Sequence, residues 1–179
     1  MHARLAELMH LAEGTREELI ALVRDVPEQQ YAHPPSDGGW SVAQVLAHLH
    51  LVEHSSVRAL FRTLKDGKKA GLERESDTTS LVGSLDASGL REETTKRQAP
   101  SFTQPSDSPV LHEALAQLAE SREALRTWAR EADGFALGTL RFPHPLLGAL
   151  TLYEWILMLH HHEQRHLRQI RHLLLSPGA

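Results

Sequence analysis

Two histidines one helical turn apart, near the C-terminal end of the chain, are the residues best suited to metal chemistry. The segment His162-Glu-Gln-Arg-His166 matches the H-E-x-x-H pattern, in which two imidazoles on one helix face can hold a single metal ion. Glu163 turns toward the interior in the same phase, so it could be a catalytic general base, a partner of the metal ligands, or an ion-pair partner of an arginine. Two hydrogen-bonded core histidines are the alternative. We favour the metal site.

The zinc-metalloprotease interpretation of this motif lacks a third ligand. Those enzymes take it from further along the chain, but only 13 of the 179 residues follow His166, and none is Asp or Glu. His172 lies on the opposite face of the predicted helix. Upstream, His48 flanks the apolar face of another predicted helix. A lone histidine at such an edge is more often structural, but here it would complete a three-histidine site.

The helix that carries the pair is predicted to run from about Leu152 to Leu174. Thr151 and Glu154 form a capping box at its start, and no Pro or Gly follows until Pro177. Its apolar residues recur at the three- and four-residue steps of one helix face. The two histidines of the motif fall on that face, so we expect them to point into the protein.

Three further helices follow from the same periodicity. The first runs from about Ala3 to Arg24 and the second from Val42 to about Lys65, with Ser41 and Gln44 as a second capping box; the third begins at Pro109 and ends before Asp133. Four helices of this length, without a convincing strand, predict an all-α four-helix bundle of the up-down-down-up type.

Two connections in the predicted bundle are long. Residues 68–108, between the second and third helices, are rich in Ser, Thr, Gly and charge. We predict short helical turns there at Ser80–Leu85 and Leu90–Arg97. A connection of this length is unusual in a compact domain and could cover a site. Residues 135–150 are expected to form a loop or a short strand-like excursion, in which His144, between two prolines, is a turn residue.

Composition excludes several classes of function. A chain of 179 residues fits one domain, spanning 1–179. The formal net charge of -4 gives no support to nucleic-acid binding. The absence of cysteine excludes a disulfide framework, a thiolate metal site and a cysteine nucleophile. Neither a signal peptide nor a membrane-spanning run is evident, which predicts a cytoplasmic protein with no membrane partner.

The remaining histidines and the C-terminal arginines are predicted to be solvent-facing. Their helical phase turns them away from the apolar faces. The histidines in this group are His50, His54, His161 and His172. Arg165, Arg168 and Arg171, spaced three apart, are interpreted as one solvated helix face.

Three segments together resemble the DinB/YfiT-like superfamily. They are Trp40-Ser-Val-x-x-Val-Leu-x-His48-Leu, Phe142-x-His144-Pro-x-x-Gly148-x-Leu-Thr-x-x-Glu154 and His162-Glu-x-x-His166-x-x-Gln-Ile170. The resemblance covers most of the chain except residues 68–108. It implies a four-helix bundle with a long crossover between helices 2 and 3, often dimeric. It also implies that one histidine of helix 2 and two of the last helix bind a divalent metal, which here are His48, His162 and His166.

The resemblance also implies an activity. Relatives include thiol S-transferases that use bacillithiol or related low-molecular-weight thiols, a mycothiol-dependent isomerase, and proteins described as metal-dependent hydrolases or damage-inducible proteins. We therefore expect Zn²⁺ or Ni²⁺ and a small-molecule substrate, with a thiol supplied as a cofactor because the chain has no cysteine. A homodimer is also expected. A hydrolase and a non-enzymatic metal-binding stress-response bundle are the alternatives. Relatives commonly carry His where this chain has Arg165.

Overall fold

The computed structural model describes residues 1–36, 38–86, 99–106 and 108–175. Within these ranges the chain is mostly helical. The helices and strands are α1 (Ala3–Val23), α2 (Glu28–Ala32), α3 (Val42–Lys69), α4 (Leu111–Ala132), β1 (Arg141–His144), β2 (Gly148–Thr151) and α5 (Leu152–Leu175). The four long helices predicted from periodicity are confirmed, with ends that differ by up to four residues.

Both predicted capping boxes are present, and they set where the two site-bearing helices begin. At α3, the backbone N–H of Gln44 donates to Ser41 Oγ at 3.3 Å, and the N–H of Ser41 donates to Gln44 Oε1 at 3.0 Å. At α5, the N–H of Glu154 donates to Thr151 Oγ1 at 3.1 Å, and the N–H of Thr151 donates to Glu154 Oε2 at 2.7 Å. Each box satisfies two N–H groups that a helix start leaves without partners.

Side-chain contacts between helices fix the direction of each one. Along α1 and α5 the contacts advance together, from Thr15 with His160 to Glu18 with Arg171, so these helices are parallel. Along α3 and α4 they also advance together, from His50 with Gln117 to Lys68 with Glu131. Contacts between α1 and α4 run in opposite senses, from Arg16 with Leu118 to His2 with Asp133. The order is therefore up-down-down-up, as predicted, and parallel α3 and α4 require a long crossover.

Two apolar clusters fill the bundle, one toward each end. The first joins the N-terminal halves of α1 and α5 to the C-terminal halves of α3 and α4, and includes Leu8, Leu60, Trp128 and Ile156. The second joins the opposite halves, and includes Leu19, Leu46, Leu118 and Ile170. Each long helix carries a buried charged residue between the part that joins the first cluster and the part that joins the second. These residues are Arg16, Glu53, Arg122 and Glu163.

The structure adds detail to the predicted elements in three places. Residues 135–150 were expected to be a loop or a short strand-like excursion, and the second alternative is confirmed: β1 pairs with β2 in an antiparallel hairpin, from Arg141 with Thr151 to His144 with Gly148. Helix α2 was not predicted. Helix α3 continues past the predicted end near Lys65 to Lys69.

Two turns were predicted in the crossover. The first, at Ser80–Leu85, contains a turn in which the backbone N–H of Ser84 donates to the Leu81 carbonyl at 3.0 Å. The turn predicted at Leu90–Arg97 lies outside the described residues. A further segment of the crossover, residues 99–106, includes a short 3-10 helix at Ser101–Thr103. Across the described ranges, none of the helices has the length and hydropathy needed to cross a membrane.

Candidate metal centre and its cavity

The three histidines predicted as ligands come together between α3 and α5. The Nε2 atom of His162 lies 3.2 Å from His48 Nε2 and 3.2 Å from His166 Nε2. All three nitrogens lie within 4.8 Å of one another. Imidazoles bound to one tetrahedral ion at the usual metal–nitrogen distance would have nitrogens about 3.3 Å apart. Two of the three separations therefore already match a shared ion.

Hydrogen bonds on the far side of two rings fix which nitrogen carries the proton. His48 Nδ1 lies 2.7 Å from the carbonyl oxygen of Thr103, and His166 Nδ1 lies 2.8 Å from Gln169 Oε1. Since both oxygens can only accept, each Nδ1 must donate, and a neutral ring then has a bare lone pair at Nε2. This is the arrangement by which proteins orient histidine ligands toward a metal.

The inward lone pairs explain why a cation suits the site. His162 Nε2 faces both His48 Nε2 and His166 Nε2, but a neutral ring can donate at most one proton from that atom. At least one of the two short contacts is therefore between two lone pairs, which repel each other. A divalent ion accepting all three lone pairs would remove this conflict. The donor set, three neutral imidazoles, suits Zn²⁺ and Ni²⁺.

Burial keeps these imidazoles neutral. It lowers the pKa of His48, although the hydrogen bond to the Thr103 carbonyl opposes the shift. It lowers the pKa of His162 well below the usual value, with His166 and His48 contributing next. Burial, followed by the neighbouring His48, lowers the pKa of His166 to about 3. Because only the neutral form offers a lone pair to a metal, the three rings are ready ligands at neutral pH.

The triad lines a cavity of about 1090 Å³. One wall is aromatic: Trp155 stacks on Phe142 with ring centroids 4.2 Å apart and planes within 9°, and donates from Nε1 to the Phe142 carbonyl at 3.2 Å. Trp40 lies on another side, 4.9 Å from the His48 ring. Both tryptophans therefore form walls of the cavity.

His144, predicted to be a turn residue, is instead the last residue of β1, and it also reaches the cavity. Its Nδ1 accepts the backbone N–H groups of Leu146 and Leu147, at 3.1 and 3.2 Å, so it stabilises the hairpin turn. Its ring lies 5.1 Å from that of Trp155, and it lines the cavity with the triad. The crossover contributes as well, because Thr103 orients His48 and five of its residues border the same cavity: Ala99, Pro100, Phe102, Thr103 and Gln104.

Glu163 lies in a different environment from the triad. It is 3% exposed, and its two carboxylate oxygens accept from Arg16 Nε at 2.5 Å and from Arg122 Nη2 at 2.8 Å. It is absent from the residues that line the cavity. These contacts favour the ion-pair alternative for this residue over the catalytic one, which stays a prediction from the motif alone.

The structure corrects part of the predicted solvent-facing set. His54 and His172 are exposed, but His50 is half-buried and its Nδ1 donates to the Gln117 carbonyl at 2.9 Å. His161 is 1% exposed. It is buried because α5 packs against both α1 and α3, so that more than one of its faces is covered.

The three arginines of the last helix, predicted to form one solvated face, lie in two different environments. Arg171 is exposed and pairs with Glu18 on α1, as expected of a solvated face. Arg165 and Arg168 are half-buried and line the cavity with the triad. The missed signal was their spacing: Arg165 lies three residues after His162, and Arg168 lies three after Arg165, so each neighbours the one before it on the helix surface.

Together, the up-down-down-up bundle and the three convergent imidazoles define a class, the helical-bundle proteins with a three-histidine site between facing helices. The chain belongs to the DinB superfamily, whose family model matches residues 11–170. The protein YuaE of Bacillus subtilis is 25% identical over 158 residues, which cover 84% of this chain and 87% of YuaE.

Two solved structures are similar to this chain. TT2238, described as a four-helix bundle protein, superposes with a TM-score of 0.60 at 25% identity, covering 94% of this chain and 98% of TT2238. YfiT from Bacillus subtilis superposes with a TM-score of 0.59 at 19% identity, covering 94% of this chain and 85% of YfiT. YfiT is described as a probable metal-dependent hydrolase with an unusual four-helix bundle topology. Both confirm the predicted fold class.

Proposed function

We propose that this protein is a divalent-metal-dependent enzyme in which His48, His162 and His166 hold Zn²⁺ or Ni²⁺, and that it transfers a low-molecular-weight thiol of the bacillithiol type to an electrophile. The observation that carries the proposal is the set of inward Nε2 lone pairs beside a cavity of about 1090 Å³. A purely structural ion needs no such space. An enzyme needs it for substrate beside the ion.

A divalent ion held there would lower the pKa of a bound thiol or water and so supply a nucleophile at neutral pH. The residues of this chain supply the rest of the site. Trp155 and Phe142 offer an apolar wall against which an electrophile can lie, and the Thr103 carbonyl keeps the His48 ring oriented. Since the chain contains no cysteine, the thiol must come from a small molecule.

Two alternatives remain within the proposal. Activation of water instead of a thiol would make the protein a hydrolase, the activity in the description of YfiT. A non-enzymatic metal-binding bundle is the second. Glu163 receives no catalytic role here, because both of its oxygens pair with buried arginines.

Metal content and thiol-dependent turnover test the proposal. Wild-type protein purified without a His-tag should bind one divalent ion per chain by elemental analysis, and His162→Ala should lose it. His54 is an exposed histidine of α3, so His54→Ala is the matched control and should keep the metal ion. With monochlorobimane as electrophile, metal-loaded wild type should accelerate bimane conjugation of bacillithiol, whereas His162→Ala should give the uncatalysed rate.

The results separate the candidates. Undiminished metal in His162→Ala would overturn the triad itself. Full metal with only the uncatalysed rate for every low-molecular-weight thiol would remove the transferase. Hydrolysis of ester or amide substrates by that same metal-loaded protein would then establish the hydrolase, and its absence would leave the metal-binding bundle.

A further inference from the structure

The oxygen that orients His166 belongs to a side chain of the same helix. Gln169 lies three residues after His166 on α5, and its Oε1 lies 2.8 Å from His166 Nδ1. Residues three apart are neighbours on a helix surface, so this contact depends on no other element. The oxygen that orients His48 is instead the backbone carbonyl of Thr103, which a substitution cannot remove. Of these two oxygens, only that of Gln169 can be tested by mutation.

The orientation of the Gln169 amide decides whether His166 can bind an ion. With Oε1 toward the ring, Nδ1 carries the proton and Nε2 keeps its lone pair. If the amide were turned over, its NH₂ group would face Nδ1, and the proton of the neutral ring would lie on Nε2, the nitrogen that faces His162. A protonated Nε2 has no lone pair for a metal. The Gln169 oxygen therefore selects the form of His166 that can be a ligand.

Both oxygens are also uncharged. A carboxylate in the same place would accept the same hydrogen bond, but it would raise the basicity of the ring and offset part of the charge of an ion. In the described part of the chain, none of the residues that line the cavity is Asp or Glu. Glu163, which follows His162, pairs with Arg16 and Arg122 instead. A divalent ion on three neutral imidazoles would therefore keep most of its charge for a further ligand.

We propose that Gln169 is a positioning residue of the candidate metal centre. Its oxygen holds His166 with Nε2 toward the ion, and its neutrality leaves the charge of the ion available to an anionic ligand, a thiolate. The inference rests on the proposed function and deepens it, because it explains how the same site would favour the thiolate form of a thiol. Replacing the amide by a carboxylate reverses the charge but keeps an acceptor, so the two roles can be tested separately.

Zinc affinity tests the positioning role. In competition with a chromophoric chelator, Gln169→Ala should bind Zn²⁺ about tenfold or more weakly than wild type, because the His166 ring loses its acceptor. Gln169→Glu keeps an acceptor and should bind at least as tightly as wild type. Gln164 is also half-buried on α5 but lies outside the cavity lining, so Gln164→Ala is the matched control and should match wild type.

The protonated nitrogen of His166 can be observed without any metal. In the metal-free protein, ¹⁵N NMR should show the proton on Nδ1 in wild type and in Gln169→Glu, and a mixture of the two neutral forms in Gln169→Ala. Wild-type zinc affinity in Gln169→Ala, or a proton on Nε2 in the wild-type protein, would overturn the positioning role. Since this measurement involves no thiol, a failure of thiol turnover would remove the transferase and leave the role of Gln169 intact.

Thiol binding to the Co²⁺-loaded protein tests the charge. A thiolate bound to Co²⁺ gives a charge-transfer band in the near ultraviolet, so titration with 2-mercaptoethanol measures thiol affinity without turnover. Gln169→Glu should bind this thiol about tenfold more weakly than wild type, because the added carboxylate offsets part of the charge of the ion. Gln164→Glu adds the same charge outside the cavity lining and should match wild type. Equal thiol affinity in Gln169→Glu and wild type, or no band in wild type, would overturn the charge argument.

Discussion

At the centre of the bundle, two arginines and two glutamates form a closed set of ion pairs. Arg16 donates to Glu53 and Glu163, and Arg122 donates to the same two carboxylates. Burial alone would raise the pKa of Glu53, but the two guanidiniums and Ser121 outweigh it and hold that pKa below its usual value. A charge-balanced, fully hydrogen-bonded set is the form in which buried charges are tolerated.

Glu163→Gln should destabilise the protein by about 3–5 kcal/mol, because it leaves two buried arginines with one carboxylate between them. Urea unfolding measures the change, and the metal content of the folded variant should stay at the wild-type value. Glu17→Gln, on the exposed surface of α1, is the control and should change stability by less than about 0.5 kcal/mol.

The opposite outcome for Glu163→Gln would be informative. Unchanged stability together with lost turnover is the signature of a general base, and it would return the residue to the catalytic role that the H-E-x-x-H pattern suggests. The sequence could not decide between these roles, because helical phase places Glu163 inward without saying which residues of α1 and α4 meet it.

At the scale of elements, the start of α3 sets the rotation that carries His48 inward. The Ser41–Gln44 capping box lies about two turns before that candidate ligand. Ser41→Ala should cost about 1 kcal/mol, because the Gln44 N–H loses its acceptor in a buried position. Ser41→Thr should restore most of the stability, since a threonine hydroxyl can cap in the same way.

Thermal melting of the Ser41 variants, with metal content as a second measurement, checks this prediction. Metal content should stay unchanged in both, because contacts along all of α3 hold the helix in place. A Ser41→Ala variant as stable as wild type would mean that the capping box contributes nothing to folding.

The other end of α3 shows where sequence patterns mislead. The predicted end at about Lys65 lies just before Asp66-Gly67, but Gly67 stays helical and buried against Leu140, whose Cδ1 would lie 2.6 Å from a Cβ at that position. The helix ends instead at Lys69, and Gly71, two residues beyond, has a positive φ of 86°. There the N–H of Gly71 donates to Lys68 and that of Leu72 to Gly67, a Schellman motif. Both glycines are evident in the sequence, but only the packing of Gly67 against Leu140 shows that the helix continues past Gly67 and ends before Gly71.

For the whole molecule, helix phase and the family resemblance predicted the three candidate ligands, but tertiary packing built the cavity. His162 and His166 were identified because they lie one turn apart on an apolar face, and His48, on the flank of another such face, because it would complete a three-histidine site. Thr103, in contrast, comes from the crossover, 55 residues away from the ring it orients. No local pattern encodes such a contact. The inward turn of Arg165 and Arg168 and the burial of His161 depend likewise on which helices surround α5. The homodimer stays a prediction.

Metal should stabilise the folded bundle as a whole, since the candidate site joins α3 to α5 and the unfolded chain has no such site. Ligand at about 100 times its dissociation constant adds roughly 2.7 kcal/mol. For a chain of this length each 1 kcal/mol corresponds to about 2–4 °C, so saturating Zn²⁺ should raise the melting temperature by roughly 5–11 °C. His162→Ala should show no shift, and His54→Ala the full shift.

The pH dependence of that shift follows from the lowered pKa values of the triad. In the folded protein the rings stay neutral below the ordinary histidine pKa of about 6.5, so protons compete poorly with metal there. In the unfolded chain the same rings protonate at about 6.5. The metal-free protein should therefore lose stability as pH falls from 6.5 toward 5, at up to about 1.4 kcal/mol per pH unit for each ring. The metal-induced shift should persist at pH 6, and a metal-free protein equally stable at pH 7 and pH 5 would contradict the buried, neutral triad.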